Sequence, residues 1–118
     1  MGYEIVKPVL NDSHLDHAFA ALSDPTRRTM LARLSRGPAS VSELAQPLSM
    51  SLPAVLQHLQ ALQASGLVRS DKQGRVRTVR LEPGVLTQAE QWLTGTRNEW
   101  EAHADRLERH LQAMKEEN

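Results

Sequence analysis

Residues 40–68 read SVSELAQPLSMSLPAVLQHLQALQASGLV, and the fold turns on how this stretch is divided. Ser40 and Glu43 stand in the S-x-x-E spacing of a capping box, so a helix begins there, with Leu44 and Leu48 on its apolar side. Pro47, Ser49 and Ser51 break the pattern. Ser51 is suited to cap a second helix, and Pro53 falls in the first turn, where no intrahelical N–H bond is required. Val55, Leu56, Leu59 and Leu62 recur at helical spacing as the expected buried face. Gly66 follows as a left-handed C-cap, with Leu67 as the hydrophobic residue beyond it and a strand next. Two helices joined by a tight turn, the second with a polar outer face, form a helix-turn-helix pattern.

Outward from this stretch, the chain before it divides into a loose N-terminus, 1–12, and the start of a single domain, 13–118. Leu15, Ala18, Phe19 and Leu22 predict an amphipathic first helix capped by Asp12 or Ser13. Asp24-Pro25 caps and opens a second, with Met30, Leu31 and Leu34 on one side and Gly37-Pro38 ending it. After the motif, Leu67–Leu81 reads as a hairpin with its turn at Asp71–Gly74. Arg69, Lys72, Arg75, Arg77 and Arg80 line its arms and tip, the layout of a basic wing. From Val85 a long helical pattern runs toward the C-terminus, with Gly95 marking a place for a kink or a division. Trp100, Ala104, Leu107, Leu111 and Met114 alternate by four and three, a coiled-coil-like seam. The fold class expected is mainly α with a small β-hairpin wing.

Composition narrows the function. Formal net charge is zero over 118 residues, but the charge is unevenly placed. Residues 24–81 carry nine Lys/Arg against three Asp/Glu, whereas 82–118 carry four against eight. Phosphate binding depends on the local field, so the basic middle points to double-stranded DNA. Ser51, Ala54, Gln57, His58, Gln60 and Ala61 remain outside the buried face of the second motif helix, and Ser and Gln can bond phosphates and base edges. No cysteine is present, which excludes disulfides and thiolate metal sites. No apolar run approaches the roughly 20 residues needed to span a bilayer, and a cytoplasmic protein is expected. Neither a nucleophile–base pair nor a glycine-rich phosphate loop can be placed, so an enzyme and a bound cofactor are not expected.

ALSDPTRRTMLARL (residues 21–34), the 40–68 stretch and RSDKQGRVRTVRL (69–81) together resemble the ArsR-type winged-helix repressor family. The likeness covers about residues 13–115 and is greatest to its cysteine-free branch, whose last helix carries Trp92-Leu93, Arg97 and Trp100 in this chain. It implies a homodimer built from the first and last helices, with Leu15, Phe19, Trp92, Trp100, Leu107 and Leu111 at the interface. It also implies a motif helix in the major groove and a wing near the minor groove of an inverted-repeat operator. The DNA-contacting set is then Ser40, Ser42, Ser51, Ala54, Gln57, His58, Gln60, Arg69, Lys72, Arg75 and Arg77. The family's thiolate metal site needs cysteines near Leu44–Leu48, where ELAQPL has none. Its other metal site needs an Asp-x-His and His-x-x-Glu/His order that His103, Asp105, Glu108 and His110 do not follow. His103 and His110 lie about 10.5 Å apart along a helix, too far to share one ion within a chain. No metal site is assigned. Two other readings remain: a repressor responding to a ligand or metal between the first and last helices, and a protein-interaction module with no role on DNA.

Overall fold

The computed structural model describes residues 14–117; the expected loose segment 1–12 and a cap at Ser13 lie outside them. In chain order the elements are α1 (14–22), α2 (Pro25–Leu34), β1 (Ala39–Ser40), α3 (Val41–Ala45), α4 (Leu52–Ala64), β2 (Val68–Gln73), β3 (Val76–Leu81) and α5 (Pro83–Glu117). This is a mainly helical fold with a β wing, as the sequence predicts.

Each helix boundary has a local cause. Asp24 accepts a hydrogen bond from the Arg27 N–H at 3.1 Å, and Pro25 supplies the first turn of α2. The guanidinium groups of Arg27 and Arg28 reach back to the carbonyl oxygens of Ala21 (2.8 Å) and Leu22 (2.7 Å), satisfying groups left open at the end of α1. The capping box at α3 is complete: Glu43 N–H donates to Ser40 Oγ at 3.1 Å, and Ser40 N–H donates to Glu43 Oε1 at 3.0 Å. At the end of α4 the Leu67 N–H meets the Leu62 carbonyl and the Gly66 N–H meets the Gln63 carbonyl, a Schellman closure. Gly66 takes φ +80°, where a side chain is strained, and a Cβ there would press on Val85 Cγ2 at 3.0 Å, so both the backbone and the packing favour glycine.

The core joins Met30, Leu31 and Leu34 of α2 to Leu44, to Val55, Leu59 and Leu62 of α4, and to Ala39, Val68 and Val79 of the sheet. One side of α4 is thereby clamped, and its other side is left for contact.

Four expectations are corrected. Leu56 is 41% exposed, not buried. At about 100° per residue, Val55, Leu59 and Leu62 share a narrow arc of α4, and Leu56 stands about 100° from Val55. The hairpin turn is Gly74-Arg75, not Asp71–Gly74: the strands continue until Gln73 faces Val76. Gly74 takes φ +62° and no non-glycine residue among those described has positive φ, which fits a two-residue type II′ turn. The hairpin is also not alone. Ala39 and Ser40 pair antiparallel with Val79 and Thr78, giving a three-stranded sheet in the order β1-β3-β2. Finally, α5 runs unbroken through Gly95 for 35 residues.

Two caps carry a pH signature. Hydrogen bonds from the Arg27 N–H to Asp24, and from the Ser40 N–H to Glu43, hold both carboxyls below their ordinary values of 3.8 and 4.5. A carboxylate whose pKa is lower in the folded state adds stability above its ordinary value and loses it as pH falls through the folded value. Resistance to urea is therefore expected to decline below about pH 4.5. In the double variant Asp24→Asn, Glu43→Gln, urea midpoints measured from pH 7 down to about pH 3 should show a shallower acid decline. An unchanged decline would remove both caps as its source.

Candidate nucleic-acid interface

α4 and the wing stand side by side. Between α3, the first turns of α4 and the wing lies a concavity of about 340 Å³ whose lining includes Ser40, Ser42, Leu52, Leu56, Lys72, Arg75, Val76 and Arg77. A second, of about 280 Å³, continues along α4 past Gln60 and Gln63 to Ser70 and Arg77 of the sheet. Gln57 and Gln60 are exposed on the outer arc of α4. Five of the sequence-expected contacts, Ser40, Ser42, Lys72, Arg75 and Arg77, thus surround one hollow, and Gln60 lines the next.

Other expected contacts are placed differently. Ser51 is exposed, but its hydroxyl accepts from the Ala54 N–H at 3.4 Å as the cap of α4, and Ala54 is half-buried. Ser40 Oγ is likewise engaged in the α3 cap. His58 turns away from the hollow: its Nδ1 lies 3.9 Å from Asp24 Oδ1, at the N-cap of α2. This follows from the α4 wheel, where His58 lies about 60° from Val55, at the edge of the buried arc. Arg69 is drawn to Glu82 at 3.5 Å, at the base of the wing.

Register makes the wing electrostatically uneven. Arg69 pairs across the ladder with Arg80, and Lys72 with Arg77. Like charges directly opposite one another destabilise a sheet. The first pair is relieved, since Arg69 meets Glu82 and Arg80 meets Asp71, each at 3.5 Å. Lys72 and Arg77 have no carboxylate within salt-bridge distance among the described residues, and neither has Arg75 at the turn. Three unpaired cations at the outer end of a hairpin favour an anionic partner brought from outside.

Sequence reading missed Leu52, Leu56 and Val76, which line the same hollow and are 54%, 41% and 54% exposed. The helical wheel of α4 would have placed Leu56 off the buried arc; Leu52 lies about 60° from Val55, at its edge, and is left exposed in the first turn of the helix. For Val76 the signal was weaker, because a hairpin's two faces look alike until β1 is known.

α5 carries the other exposed apolar surface. From Glu90 to Glu117 every residue is exposed, including Trp92, Trp100 (68%), Leu107, Leu111 and Met114. Phe19 of α1 meets Trp92 edge to face at 5.9 Å between ring centres, so an aromatic contact bridges α1 and α5 where the sequence left room for a ligand. Leu15, expected at a dimer interface, is 8% exposed within the single chain and belongs to the protomer's own packing. Among the described residues, no three His, Asp or Glu side chains are grouped closely enough to hold a metal ion.

Comparison with known proteins adds to this geometry. A family model described as a helix-turn-helix domain matches residues 22–71. The HTH-type transcriptional regulator Rv2034 of Mycobacterium tuberculosis is 46% identical over 71 residues, 60% of this chain and 66% of that protein. The transcriptional repressor SdpR of Bacillus subtilis is 28% identical over 79 residues, 67% of this chain and 88% of the repressor. A crystal structure of an ArsR family transcriptional regulator, RHA00566, is 50% identical, with a TM-score of 0.73 over 76% of this chain and 93% of that one.

Proposed function

The chain belongs to the ArsR family of winged helix-turn-helix transcriptional regulators, and from that footing we propose that it acts as a homodimeric repressor on an inverted-repeat operator. It is a DNA-binding regulator and not an enzyme. The observation that carries the contact surface is the Lys72–Arg77 cross-strand pair beside exposed α4: two facing cations without a carboxylate, next to a helix free to enter a groove. Phosphates relieve that repulsion, and α4 is held at the right distance by the core behind it.

In this reading the wing supplies Lys72, Arg75 and Arg77 to the backbone, and α4 presents Gln57 and Gln60 to base edges. Ser42 stands beside the wing as a further phosphate donor. Ser51 acts by fixing the start of α4, with its hydroxyl in the cap. The exposed seam of α5, from Trp100 to Met114, pairs with a second copy. Two-fold symmetry then calls for two half-sites about one helical turn, or a multiple of it, apart. No helix of the described residues is long and apolar enough to cross a membrane, which accords with a protein working on DNA in the cytoplasm. The Bacillus subtilis relative is named a transcriptional repressor, and by analogy this chain would repress, by covering a promoter.

Arg75→Ala tests the wing. Loss of one phosphate contact lowers the slope of log affinity against log salt by about 0.9, for every duplex alike. In a symmetric dimer the change is about twice that. A mobility-shift titration at several salt concentrations measures it, and an unchanged slope would remove the turn of the wing from the interface.

A further inference from the structure

The make-up of α4 says which bases it can read. No Lys, Arg, Asp or Glu occurs between Leu52 and Ala64. The commonest specific contact in a major groove is an Arg or Lys held bidentate to guanine O6 and N7, and this helix has no such group to offer. Its exposed surface offers instead two leucines, Leu52 and Leu56, one turn apart, and two amides, Gln57 and Gln60. A leucine side chain can cover the 5-methyl of thymine, and glutamine can pair with adenine N6 and N7. Both partners belong to A·T pairs.

Placement supports the same assignment. Outside α5, the large apolar side chains exposed among the described residues are Leu52, Leu56 and Val76, and all three line the one hollow edged by Lys72, Arg75 and Arg77. Leucines that served only to pack the wing against α4 would be covered, yet Leu52 is 54% exposed in the first turn of the helix. Exposed leucines beside cations suit a duplex: phosphates meet the cations, and methyl groups in the groove meet the leucines. An apolar protein partner would leave three cations facing it without counter-charge.

We infer that each half-site is rich in A·T pairs, and that Leu52 and Leu56 select thymine through its 5-methyl group while Gln57 and Gln60 select adenine. This rests on the DNA-binding reading above and refines it.

The test uses the whole chain and duplexes selected by it from a random pool. Each retained duplex is rebuilt with deoxyuridine for thymidine, which removes the methyl and leaves every hydrogen-bonding edge in place. A buried methyl contributes about fourfold in affinity, so two in each half-site, four in the duplex, give a loss of roughly a hundredfold or more. Leu52→Ala, at an exposed first-turn position that leaves the core intact, should bind the thymidine duplex more weakly and lose much of its preference for thymidine over deoxyuridine. Equal binding of the two duplexes by the wild-type chain would overturn the thymine assignment while DNA binding stood. Selected half-sites dominated by G·C pairs would overturn the A·T assignment in the same way. If no duplex were retained, the DNA-binding reading itself would fail and this inference with it.

Discussion

Trp100→Ala should convert the proposed dimer to monomer at low micromolar concentration. Trp100 is the most exposed of the large apolar side chains in the described structure, at 68%, and it begins the four-three seam that continues through Leu107, Leu111 and Met114. Nothing in its own protomer covers this stripe: from Glu90 onward α5 has no buried residue. An exposed stripe of this kind on a long helix is stabilised by pairing with a second stripe. Truncating a central interface tryptophan typically costs about 2 kcal/mol or more. In a two-fold interface the residue occurs once on each side, so the loss is about 4 kcal/mol, a weakening of roughly a thousandfold. Sedimentation equilibrium gives the mass directly. Far-UV circular dichroism should remain that of a folded protein, because Trp100 supports no core residue. A dimer mass retained at low micromolar concentration would count against the seam.

Leu62→Ala acts on the other side of the proposed reading helix. Leu62 has no exposed surface, and it lies in the cluster that joins α4 to α2 and the sheet. Its carbonyl also receives the Leu67 N–H that closes the helix, so the side chain sits where α4 is turned into β2. Removing it loses burial and leaves a void that the clamped helix cannot readily collapse into. The expected cost is about 3 kcal/mol. In a chain of this length that lowers the thermal midpoint by roughly 10 °C. Calorimetry on the two proteins measures it. Below the new midpoint the variant should still bind DNA, since Leu62 faces away from the hollow. A midpoint shifted by less than a few degrees would mean that α4 is backed by something other than this core.

The helix boundaries were legible in the sequence because they are set by neighbours in the chain. Ser40 with Glu43, Asp24 with Pro25, and Gly66 with Leu67 each write a cap into three or four residues, and each is found in place. Strand β1 was hidden for the converse reason. Ala39 and Ser40 show no strand pattern of their own, and pair only because β3, about forty residues later, passes beside them. That Ser40 is both a strand residue and a helix cap made the cap the louder signal. The turn of the wing was misplaced because Asp71 is a common turn residue, yet the ladder can continue until a glycine permits positive φ at Gly74. Of the candidate interface, the charged members could be found by type. Which of them are free could not: Arg69 and Arg80 look like Lys72 and Arg77 in the sequence, and only register and partners separate them. His58 shows the same limit, since Asp24, its neighbour in space, precedes it by a whole helix-turn-helix arm.

The chain contains no cysteine, so a single one introduced at a chosen surface position can carry a DNA-cleaving group without ambiguity. Placed at exposed Ser49, in the turn that leads into α4, such a group is expected to cut bound duplex in two clusters related by two-fold symmetry, their centres about one helical turn or a multiple of it apart. Placed at exposed Arg109 on α5, it is expected to cut little or not at all. Strong cutting from Arg109 with none from Ser49 would contradict the assignment of α4 and the wing as the surface that meets DNA.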